Sequence, residues 1–237
     1  FANLRTLYLY QMSHPGAKLN FMGSEFGQFI EWRFYEELQW FMLDFESHRL
    51  LQDFVSRVNQ VYIDYPQFWI DDHTWSGFGW VDINDTKNNV FIYKRSSPKE
   101  EEKDMYVALN MVPQPLEDYK IPVYEEGKYQ IIVNTDDMGF GGSGYPTGVD
   151  INGCFETIDE PYNGFPYHVK INLPPMAGIY FMKVGEVTKK PVKKVAKTKA
   201  TTEAKPKAKK ATTKTVKKTA SKTTKPKAVK PTDKKAK

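Results

Sequence analysis

Lys18-Leu19-Asn20-Phe21-Met22-Gly23-Ser24-Glu25-Phe26-Gly27-Gln28 is the stretch on which the fold turns. It is largely apolar over residues 19–22 and becomes polar at Gly23. A short apolar run between turn signals is the pattern of a strand buried on both faces, although periodicity alone leaves a buried helix open. Pro15-Gly16 before the run and Gly23 after it favour the strand. Upstream, Phe1, Leu4, Leu7, Tyr8 and Met12 recur at helical spacing, and Pro15 stops the pattern. Helix, tight turn, buried strand and an acid-bearing loop are the order of one α/β barrel unit. In that fold the loop after the strand's C-terminal end faces the substrate.

Downstream, Ser47 is placed to cap a second helix over residues 48–65. Leu51, Phe54, Val58, Val61, Tyr62 and Tyr65 form its apolar stripe, and Pro66 ends it. From Trp69 the texture changes. Residues 78–81, 90–93, 105–109, 129–133, 169–173 and 179–182 are short β-rich runs separated by Asn, Asp, Gly and Pro, which predicts an antiparallel sandwich. Asn84-Asp85-Thr86-Lys87-Asn88-Asn89 reads as a hairpin connection, and residues 96–104 as a solvated loop.

The formal charge of +5 hides two unlike segments. Residues 187–237 hold 20 of the 34 basic residues and only Glu203 and Asp233 of the 29 acidic ones, which makes +18. The 14 basic and 27 acidic residues before them leave −13, so the pI of a basic protein misdescribes the folded part. The segment from 185 on, rich in Lys, Ala, Thr and Pro and without an aromatic, is expected to be disordered, because it cannot bury enough surface to offset ordering. The lone Cys154 excludes an internal disulfide and fits a reducing compartment, so a cytoplasmic location is expected. No apolar run approaches the roughly 18 residues of a spanning helix. A start at Phe1, in mid-helix pattern and without a signal peptide's features, is expected of a piece of a longer chain.

Residues 21–28, followed by Glu31-Trp32, resemble the eighth-strand motif of the 1,4-α-glucan (glycogen) branching enzymes of the α-amylase superfamily. Phe1-Ala2-Asn3-Leu4-Arg5 and His14-Pro15-Gly16 resemble the helix and turn before that strand, and Leu38-Gln39-Trp40-Phe41-Met42-Leu43-Asp44 the segment after it. Val133-Asn134-Thr135-Asp136, Gly141-Gly142-Ser143 and Leu173-Pro174-Pro175-Met176-Ala177 resemble the family's C-terminal β domain. Bacterial members commonly read Glu-Trp-Asn where this chain has Glu31-Trp32-Arg33, so no role of that Asn passes to Arg33.

The resemblance implies a C-terminal part of such an enzyme. Residues 1–68 would be the end of a (β/α)8 barrel, its last strand with flanking helices. Residues 69–184 would form the all-β sandwich, and 185–237 the basic tail. The whole enzyme would move an α-1,4-glucan segment to a 6-hydroxyl without a cofactor. Its catalytic carboxylates come from strands four, five and seven, so none is expected at or after Phe1. Retaining glycoside chemistry needs two carboxyls about 5 Å apart, and no residue here matches those motifs. Glu25 is the candidate to meet sugar hydroxyls or hold a neighbouring side chain, with loop ordering through backbone N–H groups as the competing role. Phe26 and Trp32 are candidates to stack on pyranose faces, with packing under the loop as the alternative.

Other patterns carry less. Asp71-Asp72 and Asp136-Asp137 read as turn residues. The glycines at 139, 141 and 144 fit a dinucleotide fingerprint formally, but no helical pattern follows, so they read as a flexible sandwich loop. His14, His48, His73 and His168 lack zinc-ligand spacing, and no metal site is expected. Two further function classes stand beside the enzyme reading. One is a non-catalytic glucan-binding module. The other is non-specific nucleic-acid contact through the Lys tail, whose ammonium groups would release phosphate counterions.

Overall fold

The computed structural model describes residues 1–187; the lysine-rich segment from 188 on, with its expected disorder, lies outside them. Helix α1 spans Ala2–Ser13 and ends just before Pro15, with the His14 N–H still donating to Tyr10 O. Helix α2 spans Glu46–Asp64 and ends before Pro66. Its N-cap is Phe45 rather than Ser47, which lies inside the first turn. Leu51, Phe54, Val58 and Val61 are buried at the spacing read from the sequence.

The expected strand over residues 19–22 is absent. This stretch is irregular and joins no ladder, and Leu19 is 78% exposed. A strand exists by pairing its backbone N–H and C=O groups with a neighbour. Every strand pair among the described residues is antiparallel and lies after residue 77, so this run has none.

The antiparallel all-β unit is present. Its strands are β1 (Phe78–Asp82), β2 (Val90–Arg95), β3 (Met105–Asn110), β4 (Leu116–Val123), β5 (Lys128–Asn134), β6 (Cys154–Glu156), β7 (Tyr167–Leu173) and β8 (Ala177–Gly185). Six form one sheet in the order β1-β2-β3-β8-β5-β6, and β4 pairs with β7 in a second. Between the sheets lie Ile92, Tyr106, Ile121, Tyr129, Val169, Ile179 and Phe181. The other face of the large sheet presents Tyr93, Val107, Leu109, Val133 and Tyr180 to Leu9 of α1 and to Leu51, Phe54 and Val58 of α2. The central strands β3 and β8 are thus covered on both faces, which is why they read as continuous apolar runs instead of alternating ones. Helices and sheet share one core.

Polar contacts dock α1. Arg5 Nε donates to Thr135 O at 2.8 Å, Thr6 Oγ1 donates to Met176 O at 2.7 Å, and the Tyr180 hydroxyl donates to Leu9 O. The buried side of α1 therefore includes Arg5, Thr6 and Ser13, while Leu7, assigned to the apolar stripe, faces solvent. At the other end of the helix the Arg95 guanidinium is completely buried. Its Nε donates to Gly77 O and one Nη to Ser13 O, both at 2.9 Å, and the second Nη pairs with Asp72. Asp71 does act as a turn residue, accepting from the Thr74 and Ser76 hydroxyls. Asp72 has the larger task of balancing a buried cation.

The glycine-rich loop after β5 is held, not loose. The Asp136 carboxylate accepts from Ser143 N at 2.8 Å, Ser143 Oγ at 2.7 Å and Tyr145 N at 2.9 Å. A Cβ at Gly142 would stand 2.2 Å from the Asp136 backbone, so this close approach requires glycine. Phe140 packs edge-on against Phe54 at 5.4 Å, which fastens the loop to α2.

Candidate functional site

Gly23 (φ +81°) and Gly27 (φ +70°) bracket a single 3-10 turn over Ser24–Phe26. Both sit in the left-handed region that glycine enters without strain, so the pair reverses the chain twice within five residues. The Gln28 N–H donates back to Gly23 O at 2.9 Å and closes the turn.

The turn is fastened from both helices. The Tyr8 hydroxyl of α1 donates to Ser24 O. His48 of α2 reaches Phe26 O through Nδ1 at 2.7 Å. A carbonyl oxygen only accepts, so Nδ1 carries the proton. Gln28 Nε2 donates to Ile30 O at 2.9 Å while its Oε1 accepts from Gln39 N at 2.8 Å, which ties the loop to the segment before α2. Tyr8, Gln28 and His48 appear in the sequence reading as an apolar helix position, the end of the motif and a histidine without zinc-ligand spacing, and none of them as a fastener of this turn. Only the polar Gln28 at the end of the motif hinted at one.

Within this frame the three candidates have separate fates. The Glu25 carboxylate makes no hydrogen bond or ion pair among the described residues, so it does not order the loop through backbone N–H groups. It lies near Tyr8: burial, opposed by the bond to Ser24, raises the Tyr8 hydroxyl's pKa above its ordinary value, and the Glu25 charge adds to the rise. Phe26 is fully buried, its ring 5.4 Å from that of Trp40. The expectation that Phe26 offers a stacking face is corrected; the ring fills the space beneath the turn. Trp32 is 41% exposed and stands edge-on to Phe21 at 5.9 Å.

Trp32, Phe21, Gln28, Phe29 and Glu31 line an open cleft of about 570 Å³. Glu25 is not among its lining residues, so the fold brings Trp32 to Glu31 and Gln28 rather than to Glu25. An indole face beside a carboxylate and an amide can stack on an apolar ring face and bond hydroxyls at its rim. Arg33 pairs with Glu36 at 3.0 Å on the exposed side. Among the described residues no group of His, Cys, Asp and Glu is placed to hold a metal ion, and no helix is long and apolar enough to cross a membrane.

Residues 80–184 match the family described as the α-amylase C-terminal all-β domain. Over 175 residues the chain is 41% identical to a 1,4-α-glucan branching enzyme of Bacillus caldolyticus, a match covering 74% of this chain and 26% of that one. A branching enzyme of Halothermothrix orenii is 38% identical over 186 residues, covering 78% and 29%. Among solved structures, Ttha1563 from Thermus thermophilus superimposes with a TM-score of 0.51 at 12% identity, over 77% of this chain and 31% of that chain, a likeness of fold alone. The chain spans just over a quarter of the length of the curated relatives it matches.

Proposed function

Because the chain's relatives are the 1,4-α-glucan branching enzymes, we infer that it is a C-terminal part of an enzyme that moves an α-1,4-glucan segment to a 6-hydroxyl, making α-1,6 branches. The observation that carries this is the extent of the similarity. The match of 175 residues exceeds the all-β domain's 105 by about seventy, so it reaches well outside residues 80–184. A free-standing glucan-binding sandwich does not account for that excess.

Residues 1–68 take the role of the end of the barrel, in which residues 19–22, irregular in this structure, form the last strand only when the rest of the barrel pairs with them. The all-β domain covers the helices from behind. The partner is an α-glucan, and the unpaired Cys154 favours a reducing cytoplasm. Trp32 stacks on a pyranose ring with Glu31 and Gln28 at its edge, and Glu25, without a partner among the described residues, meets hydroxyls or a neighbouring side chain. The bond-making carboxylates and the acid/base chemistry belong to the rest of the enzyme.

The experiment is a paired assay on amylose, read by iodine absorbance and by the appearance of α-1,6 links. The chain alone is expected to give no turnover above a protein-free control. Fused in place of the matching quarter of the Bacillus caldolyticus enzyme, it is expected to restore branching that the shortened enzyme lacks. A folded fusion that leaves amylose unbranched refutes the reading. In an active fusion, Trp32→Ala is expected to weaken the apparent affinity for amylose about 5- to 150-fold, the range of roughly 1–3 kcal/mol for one lost aromatic contact.

A second reading concerns the tail, on the strength of its 20 lysines against 2 acids. We propose that it contacts nucleic-acid phosphates without reading sequence, since Lys ammonium groups are point charges and the tail has no aromatic to stack on bases. Labelled duplex DNA is titrated with the full chain and with a chain ending at Val184. Binding by the full chain alone, with log affinity falling as log salt at about −0.9 per phosphate contact, is expected. Equal binding by both, or indifference to salt, rules the arm out.

A further inference from the structure

Two asparagines in the sequence are followed by glycine, Asn152 and Asn163. An asparagine in that position can react with its own backbone. The glycine peptide nitrogen, once deprotonated, attacks the side-chain carbonyl carbon, because no Cβ on the glycine shields that nitrogen. A bond forms from the glycine nitrogen to Cγ, the Cγ–Nδ2 bond breaks, and the amide nitrogen leaves as ammonia. Water then opens the cyclic succinimide at one of its two carbonyls, which gives isoaspartate or aspartate. Water is the sole co-reactant. The attack requires a peptide nitrogen free of its hydrogen bond and a backbone free to turn toward the side chain.

The fold treats the two pairs differently. Asn152 and Gly153 lie in a turn that is bonded throughout. Gly153 N donates to Asp150 O at 2.9 Å and Asn152 N to Asp150 Oδ1 at 2.8 Å. Ile131 N donates to Gly153 O and Gln130 Nε2 to Asn152 O, both at 2.9 Å, which ties the turn to β5. A succinimide there costs the Gly153 bond and disturbs the rest.

Asn163 and Gly164 form the two-residue tip of a small hairpin, closed by Tyr162 and Phe165, whose N–H and C=O groups pair both ways at 3.0 Å. Both tip residues have positive φ, +48° and +82°, as the tightest hairpin turns require. Both are exposed, and a Cβ at Gly164 would meet nothing. Gly164 N has no acceptor among the described residues. One side-chain bond ties the tip down: Asn163 Nδ2 donates to Asp82 Oδ2 of β1 at 2.9 Å. A loop tip held in this way opens far more often than a turn fastened to a ladder.

Charge gives the reaction a consequence. The tip borders an open cleft of about 650 Å³ whose wall sets Asp82, Asp85, Glu117 and Asp118 against one cation, Lys120. As an amide, Asn163 donates to this acidic wall. As a carboxylate it only accepts, and it meets Asp82 as a like charge. We propose that Asn163 is a site of spontaneous deamidation, and that the carboxylate so formed releases the 162–165 hairpin from β1.

The full chain is incubated at neutral and at mildly alkaline pH and followed by peptide mapping with mass spectrometry. Isoaspartate is counted by enzymatic methylation. Conversion at residue 163 is expected to run at least about tenfold ahead of residue 152, the factor that one or two backbone hydrogen bonds make. It is expected to quicken as the pH rises, because the deprotonated nitrogen attacks. In urea, where neither turn persists, the two sites are expected to react at similar rates. Native conversion at residue 152 that equals or outruns 163 overturns the proposal. So does a native chain that keeps both amides while the unfolded chain loses both. A lead of residue 163 that persists in urea overturns the part given to the fold.

The release is read on Asn163→Asp. Hydrogen exchange at the Tyr162 and Phe165 amides is expected to be at least about tenfold faster than in the parent chain. Adding Asp82→Asn moves the donor to the other side of the same contact and is expected to restore slow exchange. Unchanged exchange in Asn163→Asp overturns the release. A double variant no slower than the single one shows that charge is not the cause, and overturns it too.

Discussion

Asp72→Ala is expected to destabilise the described fold by about 3–5 kcal/mol, the cost of stranding one member of a buried ion pair. The Arg95 side chain is 0% exposed and that of Asp72 12%. Removing the carboxylate leaves a cation with two carbonyl acceptors, Gly77 O and Ser13 O, and no counter-charge. Arg95→Met removes the charge but frees both carbonyls, which is expected to cost less. The double substitution is expected to be more stable than Asp72→Ala alone, since an apolar replacement of a buried pair is often close to neutral. Urea unfolding of the four proteins measures this. A loss below about 1 kcal/mol for Asp72→Ala would show that the pair is screened as a surface pair is.

The second large effect tests the shared core. Phe54→Ala removes a fully buried ring between Phe140 and the sheet, and is expected to cost about 3–5 kcal/mol. Because Phe54 belongs to the same apolar cluster as Tyr93, Val107, Val133 and Tyr180, the loss is expected in a single transition seen equally by helix and sheet probes. Far-UV ellipticity at the helical minimum reports on α2, and exchange of the β3 and β8 amides reports on the sheet. A sheet whose stability is unmoved by a helix substitution would mean that residues 69–184 fold by themselves.

What the sequence disclosed follows from where each signal is stored. The α2 stripe and six of the eight strands are written in local apolar patterns, and they emerged within one to three residues at either end. β4 was hidden by Pro122, which normally speaks against a strand; it is tolerated because β4 pairs on one side only, in a two-stranded sheet. β6 is three residues long and carries too little pattern to see. On α1, Leu4, Tyr8 and Met12 pack inward as read, but Leu7 does not, and the buried Arg5, Thr6 and Ser13 were not foreseen because their partners lie far off in sequence. Residues 19–22 show the converse. Their composition describes a strand, but pairing depends on a neighbour that no local pattern supplies. At the candidate site the turn after residue 22 was legible from Gly23, but the second reversal at Gly27 was not read. That Phe26 points inward and Trp32 outward depends on Trp40 and Phe21, and so on tertiary packing.

The bond from Tyr180 to Leu9 joins residues 171 apart, and that from Arg5 to Thr135 joins residues 130 apart. β8 is the last of the described strands to be synthesised, yet it occupies the middle of the large sheet, between β3 and β5. During translation α1 can meet α2 early, but its bonds to the sheet, at Thr135 and Tyr180, must wait until almost the whole described chain has left the ribosome. Neither half of the sheet can join the other before then. Such non-local closure makes for slow folding and a long interval with apolar helices uncovered. Nascent chains paused short of residue 177 are accordingly expected to engage chaperones, and release past residue 185 to be the event that commits the fold.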